Sequence, residues 1–241
     1  MRREQTGVAK LIFAGDSWAL KGYTPVNYKT YGASPFDVRL ADFWEIDYSC
    51  SSSVALSNLD VLDKITAANI PPSLPIIWIY TEPGRDYGRL TGEPEFDWIN
   101  SDRIFEIRKE LDSMILHKIK QTINNPIALI GGLSDINVDL ATSLGYTVLH
   151  PSWQNWIATT LNRTDYFDVG WGASDIGWHK DADGVKPSRT ALFAWDDLIK
   201  EWCMWEDLGY FCHEHPTPLA NKEFANFLKA DVTNWLNKVN A

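Results

Sequence analysis

Four apolar residues, Leu11-Ile12-Phe13-Ala14, run directly into Gly15-Asp16-Ser17. An unbroken apolar run that ends in a small residue, an acid and a hydroxyl reads as a buried strand closing in a turn that carries a serine. A strand that is apolar on both faces has to be covered on both faces, as in a parallel sheet held between helices. In such sheets ligands sit outside the carboxyl ends of the strands. Ser17 therefore stands at the edge where chemistry is done.

The same signal recurs along the chain. Leu74 to Tyr80 is apolar throughout after Pro75, and Ile127-Ala128-Leu129-Ile130 runs into Gly131-Gly132. Trp44 to Tyr48 and Tyr146 to Leu149 complete five candidate strands. Helical patterns fill the intervals. Pro35 opens one over Phe36, Leu40 and Phe43, and Ser51-Ser52-Ser53 end the second strand and cap a helix through Ala67, with Val54, Leu56, Leu59, Leu62 and Ile65 as its apolar positions. Asn100 or Ser101 begins a long helix to about Asn124, with Ile104, Ile107, Leu111, Ile115 and Ile119 in register. Asp135 to Leu144, Trp153 to Leu161, Thr190 to Asp207 and Pro218 to Asn237 read as further helices. Strands alternating with helices predict a three-layer α/β/α sandwich with a mostly parallel, flavodoxin-like five-stranded sheet.

At 241 residues the chain fills one core, so a single domain over 1–241 is expected. Residues 162–189 are polar and rich in glycine and aspartate, which marks a loop or lid insert. Within it, Asp181-Ala182-Asp183-Gly184 reads as a turn, because the glutamate that closes a calcium loop does not follow. The formal charge of −10, from 22 basic and 32 acidic residues, argues against a nucleic-acid partner. No stretch approaches the roughly 20 apolar residues of a membrane-spanning helix. No apolar leader with a small-residue cleavage site follows Met1, so the expectation is a soluble chain without signal peptide or membrane partner. Cys50, Cys203 and Cys212 give no disulfide framework, and Cys212-His213-Glu214-His215 is weak as a metal motif because adjacent side chains rarely converge on one ion. Twelve tryptophans stand out. They read first as core anchors and second as stacking faces for sugar rings.

A serine becomes a nucleophile only when a base takes its proton, and histidine has the suitable pKa. Of the five histidines, His117 falls inside the long helix and reads as structural. His150 follows a strand, and His213 and His215 precede the last helix. Gly15-Asp16-Ser17 after the first strand, taken with His215-Pro216-Thr217 at the opening of that helix, resembles the SGNH (GDSL-type) serine hydrolases.

The resemblance implies Ser17 as nucleophile, His215 as base and Asp16 as an orienting residue. It implies an esterase or deacetylase acting on an acyl ester of a small molecule or carbohydrate, with no cofactor and no metal. Its oxyanion donors would be the Ser17 N–H, a group of the second block at Ser51, and a group of the third block. The family has glycine in the second block, where this chain has Ser51-Ser52-Ser53. The family has asparagine in the third, where this chain has Thr81-Glu82-Pro83-Gly84-Arg85-Asp86. Thr81 or Arg85 is then the candidate donor. Cys212 occupies the position of the family's triad aspartate, so Glu214, Glu206 or Asp207 would supply the charge, or a backbone carbonyl would hold the ring in a Ser-His dyad. The alternative is a catalytically impaired carbohydrate-binding or structural protein on the same fold.

Overall fold

The computed structural model describes residues 10–15, 40–44, 46–52, 57–81, 83–92, 101–132, 135–153, 156, 178–181, 184–187, 211–212, 215–216 and 218–241. Its centre is a five-stranded sheet of β1 (Leu11–Gly15), β2 (Tyr48–Ser52), β3 (Ile76–Tyr80), β4 (Ile127–Gly131) and β5 (Thr147–His150). The strands lie in the order β2-β1-β3-β4-β5, and every neighbouring pair is parallel. Helices α1 (Asn58–Ala67), α2 (Tyr87–Thr91), α3 (Ser101–Thr122), α4 (Val138–Ser143) and α5 (Pro218–Val239) accompany it. The expected three-layer α/β/α architecture is the one observed.

Alternation along each strand sorts the core into two halves. Leu11, Phe13, Ile77, Ile79, Ala128 and Ile130 face a layer built from α5, through Phe224, Leu228, Val232 and Trp235, and from the 3-10 turn Leu40–Trp44. Ile12, Ala14, Ile76, Trp78, Ile127 and Leu129 face the opposite layer of α1, α3 and α4. Both faces of β1, β3 and β4 are buried, which is why these strands are continuous apolar runs.

Three boundaries differ from the sequence expectation. The second strand is Tyr48–Ser52, because its ladder with β1 runs from Leu11 opposite Tyr48 to Gly15 opposite Ser52. Ser51 and Ser52 therefore extend the strand, residues 53–56 lie outside the described residues, and the helix cap is at Ser57, whose side chain accepts the Asp60 N–H at 3.2 Å while Asp60 accepts the Ser57 N–H at 3.0 Å. Leu40–Trp44 is a 3-10 turn, and residues 35–39 of the helix expected there lie outside the described residues. The helix expected over 190–207 and most of the one over 153–161 also lie outside them.

Within the 162–189 segment, β6 (Trp178–Asp181) and β7 (Gly184–Pro187) form an antiparallel pair with Asp181 opposite Gly184, while Ala182 and Asp183 of the expected turn lie outside the described residues. A second antiparallel pair, β8 (Phe211–Cys212) and β9 (His215–Pro216), precedes α5. Among the described residues no helix is long and apolar enough to cross a membrane.

Phe224 anchors the α5 layer. It is fully buried, with ring centroids 4.2 Å from Trp153 and 4.8 Å from Trp156. Phe224→Ala should cost about 3–5 kcal/mol in urea unfolding. Phe227→Ala, one turn along and 55% exposed, should cost less than about 1 kcal/mol. Equal losses would show that the layer is not packed as described.

Candidate functional site

The sheet has one topological switch point, between β1 and β3, where successive connections leave in opposite directions. In an open parallel sheet this is where a ligand crevice forms, outside the carboxyl ends of the two strands. β1 ends there in Gly15, whose φ of 153° lies in a region that L side chains rarely adopt, so a glycine suits the end of this strand. Asp16 and Ser17 follow it and lie outside the described residues. β3 ends there in Tyr80, followed by Thr81, which is buried.

The chain beyond β3 is fastened to the start of α1. Asn58, fully buried at the first position of that helix, accepts the Thr81 N–H on Oδ1 at 3.1 Å and donates from Nδ2 to the Thr81 carbonyl at 3.0 Å. Asp86 closes the 3-10 turn Pro83–Asp86 and is itself fully buried. Its carboxylate accepts the Asn58 and Leu59 N–H groups, both at 3.0 Å. Those are free donors at a helix N-terminus, where the peptide dipoles favour negative charge. The Ser57 cap takes the Asp60 N–H and the Ser57 carbonyl takes that of Val61, so the first turn of α1 is fully satisfied. Outside this cluster Arg89 of α2 reaches Asp60 and Asp63 of α1, each at 2.8 Å. This exposed pairing contributes little to stability but reinforces the same junction.

Burial raises the Asp86 pKa above its ordinary value, against hydrogen bonds from Ser57, Leu59 and Asn58 that lower it. Removing water from a carboxylate disfavours its charged form, and here that effect exceeds the gain from the donors.

The sequence-predicted residues take these places. Thr81 and Arg85 both lie just beyond β3, Thr81 buried and Arg85 half-buried in the 3-10 turn. Ser51 lies within β2 opposite Ala14, one residue before the end of the strand. His215 lies in β9 with Cys212 as its register partner. The side chains from Cys212 to His215 fall outside the described set, and among the described residues no three His, Cys, Asp or Glu groups are placed to hold a metal ion.

His150, at the carboxyl end of β5, is tied up elsewhere. It ends β5, three strand spacings or about 14 Å from β1. Its Nδ1 is 2.8 Å from the Ser152 carbonyl, so Nδ1–H donates there, and its ring meets Phe224 and Phe227 edge-on. Burial lowers its pKa. The Ser152 hydroxyl donates to Asp135 and not to the imidazole, so these three residues are not ordered as a relay. His117 is exposed on α3, with Nδ1 2.7 Å from the Ser113 carbonyl of the same helix. Trp44, Trp78, Trp153, Trp156 and Trp235 are buried and offer no face to a sugar.

The residues that sequence reading missed are Ser57, Asn58 and Asp86. Ser57-Asn58-Leu59-Asp60 carries the capping-box spacing, so the helix start was open to detection. The pairing of Asn58 and Asp86 with other parts of the chain has no local signal. The chain matches no protein-family model, no curated protein and no solved structure.

Asp86→Asn should lower stability by about 1–3 kcal/mol at neutral pH, since its amide turns a donor toward N–H groups that need an acceptor. The pH dependence has a definite sign. With its pKa raised, Asp86 binds a proton more tightly in the folded chain than in the unfolded one. Stability from this group therefore falls as pH rises through the window above the ordinary value of 3.8. The stability difference between parent and Asp86→Asn should shrink with rising pH across that window. Denaturant titrations over a pH series that gave a growing difference would contradict the assignment.

Proposed function

We propose that the protein is a serine hydrolase acting on an acyl ester, with Ser17 as nucleophile and His215 as base. The observation that carries the reading is that β1, which leads into Gly15-Asp16-Ser17, borders the switch point of a parallel sheet ordered β2-β1-β3-β4-β5. The likeness of these residues and of His215-Pro216-Thr217 to the SGNH family supports the assignment. The distance of β5 from β1 argues against His150 as the base.

In this reading the Ser17 hydroxyl attacks the acyl carbon while His215 takes its proton, and His215 returns that proton to the departing alcohol. Water, deprotonated by His215, then cleaves the acyl-enzyme and regenerates Ser17. Asp16 orients the turn. The negative charge on the acyl oxygen is met by the Ser17 N–H, with Ser51 contributing from the second block and Thr81 or Arg85 from the third. The group assigned to Thr81 in this reading is its hydroxyl, its N–H being given to Asn58. The tryptophans of the described core lend no support to a carbohydrate acyl group, which rests on the family likeness alone.

Turnover of an aryl acetate tests the reading. Ser17→Ala should reduce the rate to background, and Thr81→Val should lower kcat by roughly 10²-fold with little change in KM. Cys212 stands three residues before His215, where the family likeness implies the triad aspartate, so Cys212→Asp puts a carboxylate at that position. Loss of that acid costs about 10⁴ in kcat in a well-studied serine triad, so restoring it should raise kcat measurably. A parent rate equal to that of Ser17→Ala, with no gain in the aspartate variant, would leave the binding-protein alternative.

A further inference from the structure

We infer that Asn58 is a positioning residue for the Thr81 corner of the reaction site, an inference that rests on the hydrolase reading above. β1 and β3 pair from Ile12 opposite Ile76 to Ala14 opposite Trp78, and Thr81 lies beyond that ladder. On its other side β3 pairs with β4 as far as Tyr80 opposite Gly131, and the Gly132 N–H closes on the Tyr80 carbonyl at 2.9 Å. Thr81 is thus the first residue past the ladder on the β4 side and the third past it on the β1 side. Its main chain is nevertheless held at both polar groups, by one side chain that presents an acceptor to the N–H and a donor to the carbonyl.

That is the hydrogen-bond pattern of a neighbouring strand, supplied by a carboxamide. Asn58 therefore adds one further rung to β3 at the switch point, where the strand β1 no longer provides one. A rung made by a single rigid side chain fixes the peptide planes on either side of Thr81, and with them the direction of its Cα–Cβ bond. Transition-state donors need such fixing, because a displacement of about 1 Å can cost on the order of 10² in rate.

Asn58 is itself held. Its side chain is buried, its backbone belongs to α1, and its own N–H is given to the buried carboxylate of Asp86. Asp86 lies five residues beyond Thr81 on the same segment, so the fastening forms a closed loop: Thr81 to Asn58 by the carboxamide, Asn58 to Asp86 by the N–H, and Asp86 back to Thr81 along the chain. A residue that merely plugged the end of α1 would need only its backbone in this arrangement. The two side-chain bonds to Thr81 are the part left for positioning.

The test is a double-mutant cycle on the full chain, with an aryl acetate as substrate and Ser17→Ala as the blank. Asn58→Ser should lower kcat on the order of 10-fold to 10²-fold and leave KM within about twofold. In a Thr81→Val background, where the hydroxyl is already absent, the same substitution should change kcat by less than about twofold. Melting temperatures of all variants check that each is folded at the assay temperature. If Asn58→Ser does not fold, Asn58→Asp runs the same cycle, since it keeps the shape and the acceptor and removes the donor to the Thr81 carbonyl.

A parent-like kcat for the folded Asn58 variant overturns the inference and leaves the hydrolase reading standing. So do losses at Asn58 and Thr81 that multiply in the double variant, because Asn58 would then act independently of Thr81. A parent rate no higher than the Ser17→Ala blank overturns the hydrolase reading itself and removes the inference with it.

Discussion

A carboxylate without water must be met by other donors, and in this protein the start of α1 meets it. Asp86 takes the Asn58 and Leu59 N–H groups, and that contact fixes where the segment after β3 can run. Everything proposed for the third block depends on it. The 3-10 turn carrying Arg85, the helix α2 carrying Arg89 and the residue Thr81 are all drawn against α1. The unfavourable burial of the charge is offset in part by donors that a helix N-terminus would otherwise leave to solvent. One contact therefore satisfies a helix end and anchors a loop at the sheet's carboxyl edge.

The sheet and both its covering layers were legible because the central strands are buried on two faces. Ile76–Tyr80 and Ile127–Gly131 are unbroken apolar runs, and a run of that kind leaves little freedom in its assignment. β2 was misplaced for the converse reason. Its sequence, Tyr-Ser-Cys-Ser-Ser, resembles a cap more than a strand, and only pairing with β1 at the edge of the sheet makes it extended. The site divides in the same way. The proposed nucleophile and base, Ser17 and His215, are suggested by a family likeness in the sequence, whereas Asn58 has no local mark at all. An asparagine at the head of a helix is ordinary. Its use as a rung for a strand 23 residues later exists only after the chain has folded.

Among the described residues the tryptophans serve packing rather than a surface. A chain with 12 tryptophans invites a sugar platform, yet the indoles of Trp44, Trp78, Trp153, Trp156 and Trp235 are spent on filling the space beside the sheet. Trp153 and Trp156 meet edge to face at 5.8 Å, and Phe224 lies against both. Large rings suit such a role because each removes much apolar surface from water at a small entropic cost. His150 belongs to this packing, which explains a histidine at the carboxyl edge that takes no part in the proposed chemistry.

The layer formed by α5 has a consequence for how the protein is made. Trp44 donates its indole N–H to the Ala225 carbonyl across a separation of 181 residues, and Phe13 of β1 shares a core half with Phe224. A ribosome delivers β1 to β5 well before it delivers the helix that covers one side of them. During that interval the nascent sheet carries an uncovered apolar face, and contacts this distant in sequence close slowly. A cell producing this chain must shield that face until residue 239 has cleared the exit tunnel, so shortening α5 would be expected to show first as lost yield of folded protein.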